Sequence, residues 1–157
     1  MHEQHRRFFT TARELQLPLH MESIGYNPEQ ERFSRPDGYP CYHWLQTLSG
    51  EGRFIFGDTA YQLKPHTGIL LVPDEAHDYT PIIEPWVTVY ITFLGPQLLD
   101  ILTSLGLNQS AYYQWDPYSE LSHYASTVLD SISSNNDISG LDASGQLYRF
   151  LILLKKP

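Results

Sequence analysis

The hydrophobic period of this chain changes once, at Gly95-Pro96. Upstream, from about Leu19, short apolar runs alternate with turn residues at the spacing of an all-β barrel or sandwich. The runs predict strands over 20–25, 41–48, 52–56, 60–63, 69–72 and 86–94, with separators at Ser49-Gly50, Gly57-Asp58, 65–68 and 81–85. Gly57-Asp58 is a hairpin signal, because glycine takes the positive φ a tight turn needs. Downstream the pattern is helical. Leu98, Ile101, Leu102 and Leu105 form one stripe, with Pro96 suited to the first turn and Gly106 to the stop. A second helix is predicted from Asp116-Pro117, an N-cap followed by proline, with Leu121, Tyr124, Ala125, Val128 and Ile132 on one face. A third runs from about Leu141, with Leu147, Phe150, Leu151 and Leu154 facing one way, and its stripe is still running at Lys155-Lys156-Pro157. The expectation is a mainly β fold with C-terminal α: an arm over 1–18 carrying Phe8 and Phe9, a barrel over 19–95, and a helical segment over 96–157 cut from a longer protein.

A chain of 157 residues builds one ordinary domain with a real core. No apolar run approaches the roughly 20 residues that span a bilayer, and the N-terminus lacks the apolar region of a secretory signal, so no membrane partner is expected. Cys41 is the single cysteine and cannot form an internal disulfide, which fits a reducing cytoplasm. Ten Lys plus Arg against 18 Asp plus Glu give a formal charge of −8, which repels a phosphate backbone. This chain alone is not expected to bind DNA.

Four features bear on chemistry. Along 86–93, Val87, Val89, Ile91 and Phe93 share one face, and Trp86, Thr88, Tyr90 and Thr92 share the other. The aliphatic face suits packing; the face of rings and hydroxyls suits the interior of a small barrel holding a polar ligand. His77, beside Tyr79 and at a strand end, reads either as a ring satisfied by backbone or as a pocket donor or acceptor. Arg35 precedes Pro36 and is therefore extended; if it is buried it needs acceptors, which a sugar or a carboxylate would supply. Tyr39 and Trp44 are weaker candidates among eleven tyrosines and three tryptophans. For a metal, His43 and His77 make a pair one ligand short, so no metal or other cofactor is expected. No Gly-x-Ser-x-Gly elbow or phosphate-binding glycine loop is present, and no catalytic residue is assigned.

The stretch RPDGYPCYHWLQTLSGEGRFIF, the Pro65 turn, GILLVP, His77, Tyr79 and then WVTVYITF resemble the ligand-sensing domain of AraC-type transcription regulators. The resemblance implies a cupin-like (jelly-roll) β-barrel followed by two or three helices. It implies that Arg35, His77, Tyr79, Thr88 and Tyr90 line a ligand pocket, with Trp86 and Tyr39 beside it, and that the arm can fold over the ligand. It further implies regulation through a small polar effector such as a sugar or polyol, and DNA binding only through a helix-turn-helix domain beyond this chain. The helical stripes offer more apolar face than one small barrel needs, which predicts a homodimer through the C-terminal helices. A small metal-dependent cupin enzyme, an isomerase or dioxygenase, is the alternative. One departure from the family pattern is Pro65-His66-Thr67, where Pro-Gly-Asp is common.

Overall fold

A computed structural model describes residues 5–9, 17–134 and 140–156. In chain order the strands are β1 (Arg6–Phe9), β2 (His20–Asn27), β3 (Phe33–Arg35), β4 (Tyr42–Phe56), β5 (Thr59–Leu63), β6 (Thr67–Leu71), β7 (His77–Leu94) and β8 (Ala111–Gln114). Helices α1 (Leu98–Leu105), α2 (Leu121–Ser134) and α3 (Leu141–Lys155) complete the chain. Every pairing is antiparallel, in the order β1-β2-β7-β4-β6-β8, with β3 added on β7 and β5 on β4. The fold is mainly β with C-terminal helices, as predicted. The sheet is not closed: β1 and β8 stand at its two edges.

Two long strands shape it. β4 and β7 pair along most of their length, and the register slips three times between Thr47 and Gly52. Those slips bend the pair, so that one half of β7 joins β2 and the other half joins β3. Likewise β4 pairs with β6 before the bend and with β5 after it. The sheet thus folds over on itself. Ser49-Gly50 and 81–85, predicted as separators, are parts of these continuous strands. The correction has a physical reason: Gly50 takes φ +73° at a bulge, and Glu84, Pro85 and Trp86 have no register partner in β4. A bulge tolerates the prolines and the positive φ that otherwise mark a turn.

Two clusters fill the molecule. Leu45, Phe54, Phe56, Leu63, Tyr79 and Trp86 meet between the two arms of the folded sheet. Val89, Ile91 and Phe93 pack instead with Leu121, Leu129 and Phe150 from the helices. The alternation along β7 therefore does what its sequence predicts, with even positions inward and odd positions toward the helices. Three rings lie flat against strand glycines: a Cβ on Gly25 would sit 2.2 Å from the Tyr90 ring, one on Gly52 2.1 Å from Trp86, and one on Gly68 2.5 Å from Trp44.

The helices differ from prediction at one end. α1 stops at Gly106 in the left-handed region, φ 73°, as expected. α2 starts at Leu121, not at Asp116-Pro117. The Asp116 carboxylate accepts from the Tyr118 N–H at 2.8 Å, an Asx turn, and Ser119 Oγ accepts from the Leu121 N–H at 3.2 Å. Three short strands join the sheet unannounced: β8, inside the predicted helical region 96–157, pairs with β6; β1, inside the predicted arm, pairs with β2; and β3, between the first two predicted strands, pairs with β7. The rest of that arm lies outside the described residues. At the Pro65 turn His66 itself adopts φ 68°, the conformation a glycine would give, and its ring meets Ser122 Oγ at 3.2 Å.

Candidate functional site

Period-2 alternation on three neighbouring strands builds one polar wall. β3 pairs with β7 so that Phe33 opposes Tyr79 and Arg35 opposes His77, and β4 places Phe54 and Phe56 opposite the same two residues. Phe54, His77 and Tyr79 stack nearly parallel, with Phe54 centroids 5.5 Å from His77 and 5.2 Å from Tyr79. Against this stack Arg35 Nη1 donates to His77 Nε2 and to Tyr79 Oη, each at 3.2 Å. His77 Nδ1 lies 2.8 Å from the Glu75 carbonyl. A nitrogen bonded to a carbonyl must carry the hydrogen, and one facing a guanidinium must accept, so the network assigns His77 as the neutral Nδ1–H tautomer. Burial first, and the Arg35 charge second, lower its pKa from the ordinary value against the raising effect of the Glu75 bond. Burial likewise raises the Tyr79 phenol, only partly opposed by Arg35.

A cavity of about 260 Å³ opens beside Arg35. Tyr39, Tyr79, Tyr90 and Thr92 line it together with His43, and Arg7 and His5 approach it from β1. Gln30, Asn27, Glu31 and Phe33 close the remaining side. His43 is 5% exposed, and its Nδ1 is buried without a partner among the described residues. Burial, with Arg35 next, pushes its pKa down to about 3, so both imidazoles are neutral at pH 7. Bonded to two of the lining residues, Glu22 gathers the nearby donors: Tyr39 Oη and Thr92 Oγ1 donate to Oε1, and Cys41 Sγ to Oε2. Burial alone would raise Glu22, but these bonds and Arg7 outweigh it and leave the carboxyl low. Burial and the Glu22 bond push Tyr39 and Cys41 up to about 12, so Cys41 stays a thiol. A broader groove between 29–31 and 84–86 carries three carboxylates, Glu29, Glu31 and Glu84.

Of the residues picked out in sequence, Arg35, Tyr39, Tyr79 and Tyr90 come together at the cavity. His77 stands one bond behind, holding Arg35. Trp86 and Thr88 do not reach it. Trp86 is fully buried with Nε1 donating to Thr47 Oγ1 at 2.8 Å, and Thr88 is fully buried, donating to Gln30 Oε1 at 2.8 Å. Sequence reading missed Arg7, Gln30 and His43 as lining residues. Thr92 carried a usable signal, since it shares the face of Tyr90; Arg7 and Gln30 come from separate segments and carried none.

The AraC-like ligand binding domain family matches residues 19–151 of this chain. No curated protein matches it. Among solved structures it is similar to the AraC-like transcriptional activator CuxR, with TM-score 0.59 and 10% identity over 90% of this chain and 53% of that one. It is also similar to ToxT from Vibrio cholerae O395, with TM-score 0.52 and 12% identity over 85% of this chain and 52% of that one. A ToxT structure bound to (E)-4-(8-methylnaphthalen-1-yl)but-3-enoic acid matches with TM-score 0.51 and 12% identity, over 88% of this chain and 58% of that one. The chain thus spans just over half the length of these proteins. No helix among the described residues is long and apolar enough to cross a membrane.

Proposed function

This chain belongs to the AraC-like ligand-binding domain family, and from that premise we propose that it is the effector-sensing module of a cytoplasmic transcription regulator. The effector is a small polyhydroxylated molecule, a sugar or polyol, held in the cavity beside Arg35. The observation that carries this reading is a polar wall held by its own bonds: a guanidinium fixed by His77 and Tyr79, with Tyr90 and Thr92 presenting a ring and a hydroxyl to the same space. Preformed concave sites with a few convergent polar groups are what small-molecule binding requires. That ToxT, a protein of similar fold, is found with a small organic molecule bound supports reading the cavity as a ligand site.

Binding rather than catalysis is also favoured by the state of the histidines. A metal enzyme would need His43 and His77, whose ring centroids lie 5.9 Å apart, to offer lone pairs together. His77 has none to give: one nitrogen donates to a carbonyl and the other accepts from Arg35. A cation there would also face the guanidinium.

The effector's signal passes to a DNA-binding domain outside this chain, through a homodimer made by the C-terminal helices. Leu99, Leu141 and Tyr148 on α1 and α3 are exposed apolar side chains, which support that assignment. Thermal unfolding across a panel of sugars and polyols tests the function. A true effector at about 100 times its Kd adds roughly 2.7 kcal/mol, several degrees in Tm. Tyr90→Ala should cut affinity about five- to a hundred-fold and leave the unliganded fold intact; no shift from any compound would defeat the reading.

A further inference from the structure

Resting on that reading, the geometry points to an effector that carries a carboxylate, a hydroxylated acid of the aldonate or uronate class rather than a neutral sugar. Arginine partners make the case. Arg6, Arg32 and Arg149 each sit on an aspartate or glutamate, at 3.0, 3.3 and 3.3 Å, whereas Arg53 on β4, away from the cavity, has no such ion pair among the described residues. Arg35 and Arg7, the two arginines on the cavity, have no carboxylate partner among the described residues.

Arg35 is positioned without being neutralised. Its Nη1 is held by two uncharged acceptors, His77 and Tyr79. The rings of Phe33, Tyr39 and Tyr79 flank its Cζ at 4.7, 5.6 and 5.9 Å. Its Nε and Nη2 have no hydrogen-bond partner among the described residues. That remaining edge is the one that meets a planar carboxylate with two parallel N–H···O bonds. Arg7 supplies a second positive charge from β1, its Cζ 5.9 Å from the Tyr90 ring. Glu22, kept ionised by bonds from Tyr39, Thr92 and Cys41, offsets part of the Arg7 charge, and Glu31 is exposed at the rim, so Arg35 is the guanidinium left to meet the ligand's carboxylate.

The remaining lining specifies hydroxyls. Tyr39, Tyr90 and Thr92 bring hydroxyl groups to the lining, and His43, a neutral imidazole by burial, lies among them; such groups exchange hydrogen bonds with ligand hydroxyls. A cavity of about 260 Å³ falls below the roughly 300 to 1,000 Å³ of drug-sized sites, which suits a single small sugar skeleton. A neutral sugar would take water from two guanidiniums and give back no charge, so the site discriminates against it.

Isothermal titration with matched pairs tests this: glucose against gluconate and glucuronate, galactose against galacturonate, xylose against xylonate, with glucose 6-phosphate added. For the skeleton that binds, the acid should bind at least about tenfold tighter than its neutral partner, which is about 1.4 kcal/mol. Arg35→Met should erase most of that preference. Arg7→Gln, at an exposed position that leaves the core untouched, should reduce it by itself. A neutral sugar binding as tightly as its acid overturns the carboxylate and leaves the sugar reading standing. Glucose 6-phosphate binding tighter than glucuronate overturns it in favour of a phosphate. Silence from both members of every pair overturns the sugar reading as well.

Discussion

Replacing His43 with phenylalanine should flatten the acid side of the stability profile. In the fold the His43 ring is 5% exposed and its pKa falls from the ordinary 6.5 to about 3, chiefly through burial. In the unfolded chain it titrates near 6.5. Between these values the unfolded state binds a proton that the folded state refuses, so stability present above pH 6.5 is lost as the pH falls. From pH 7.5 to 5.0 the loss from this one group is about 2 kcal/mol, since each unit below 6.5 contributes about 1.4 kcal/mol. Glu22, whose carboxyl is held below 4.5, makes its own contribution only below this window. His77 and His20 are lowered too, by burial first, and act in the same direction in both proteins. Urea unfolding at pH 7.5, 6.5, 5.5 and 5.0 gives ΔG at each point for wild type and His43→Phe. The measured quantity is the difference in slope, so any repacking cost of the phenylalanine at neutral pH cancels. If the variant loses as much stability on acidification as the wild type, His43 is not held neutral by burial and the reasoning fails.

Thr47→Val removes the acceptor of the Trp86 indole N–H inside the folded sheet; it should cost about 1 to 3 kcal/mol, read as a lower denaturation midpoint with unchanged slope. Gly68→Ala drives a Cβ to 2.5 Å from the fully buried Trp44 ring and should cost about 1 to 3 kcal/mol, with a change in tryptophan fluorescence reporting the displaced ring. Chelator treatment should leave the melting curve unmoved, and one equivalent of tightly held metal in the purified protein would contradict the assignment of the histidines. Sedimentation at micromolar concentration should show a dimer, and a monomer there would argue against pairing through the helices.

The sequence made the two faces of β7 legible because a buried strand in contact with two different layers must alternate, and positions 86–93 alternate without a break. The helices were legible for a similar reason, although α2 began later than Asp116 because an Asx turn and an N-cap use the same residue types. Continuity of β4 and β7 was hidden, since Gly50 and the prolines at 81 and 85 signal a turn and a bulge alike. Arg35 was flagged by its proline neighbour, but its partners lie 42 and 44 residues away, and only the pairing of β3 with β7 brings them together. β1 and β8 are four residues each, too short for a period to declare itself. For that reason Arg7 could not be seen approaching the cavity.

The alternation along β7 separates two kinds of freedom by a single peptide unit. Tyr90 and Thr92 face the cavity, whereas Val89, Ile91 and Phe93 are fully buried against the helices. Selection for a new effector can rewrite the first set one codon at a time while the second stays fixed, because neighbouring side chains on a strand project into different compartments. A library randomised at 90 and 92 therefore samples chemistry with the helical layer untouched, and one randomised at 89 and 91 samples mostly misfolding. One backbone segment thus carries a face that tolerates change beside a face that the core holds fixed, and new effector chemistry can be built on it without first solving the fold again.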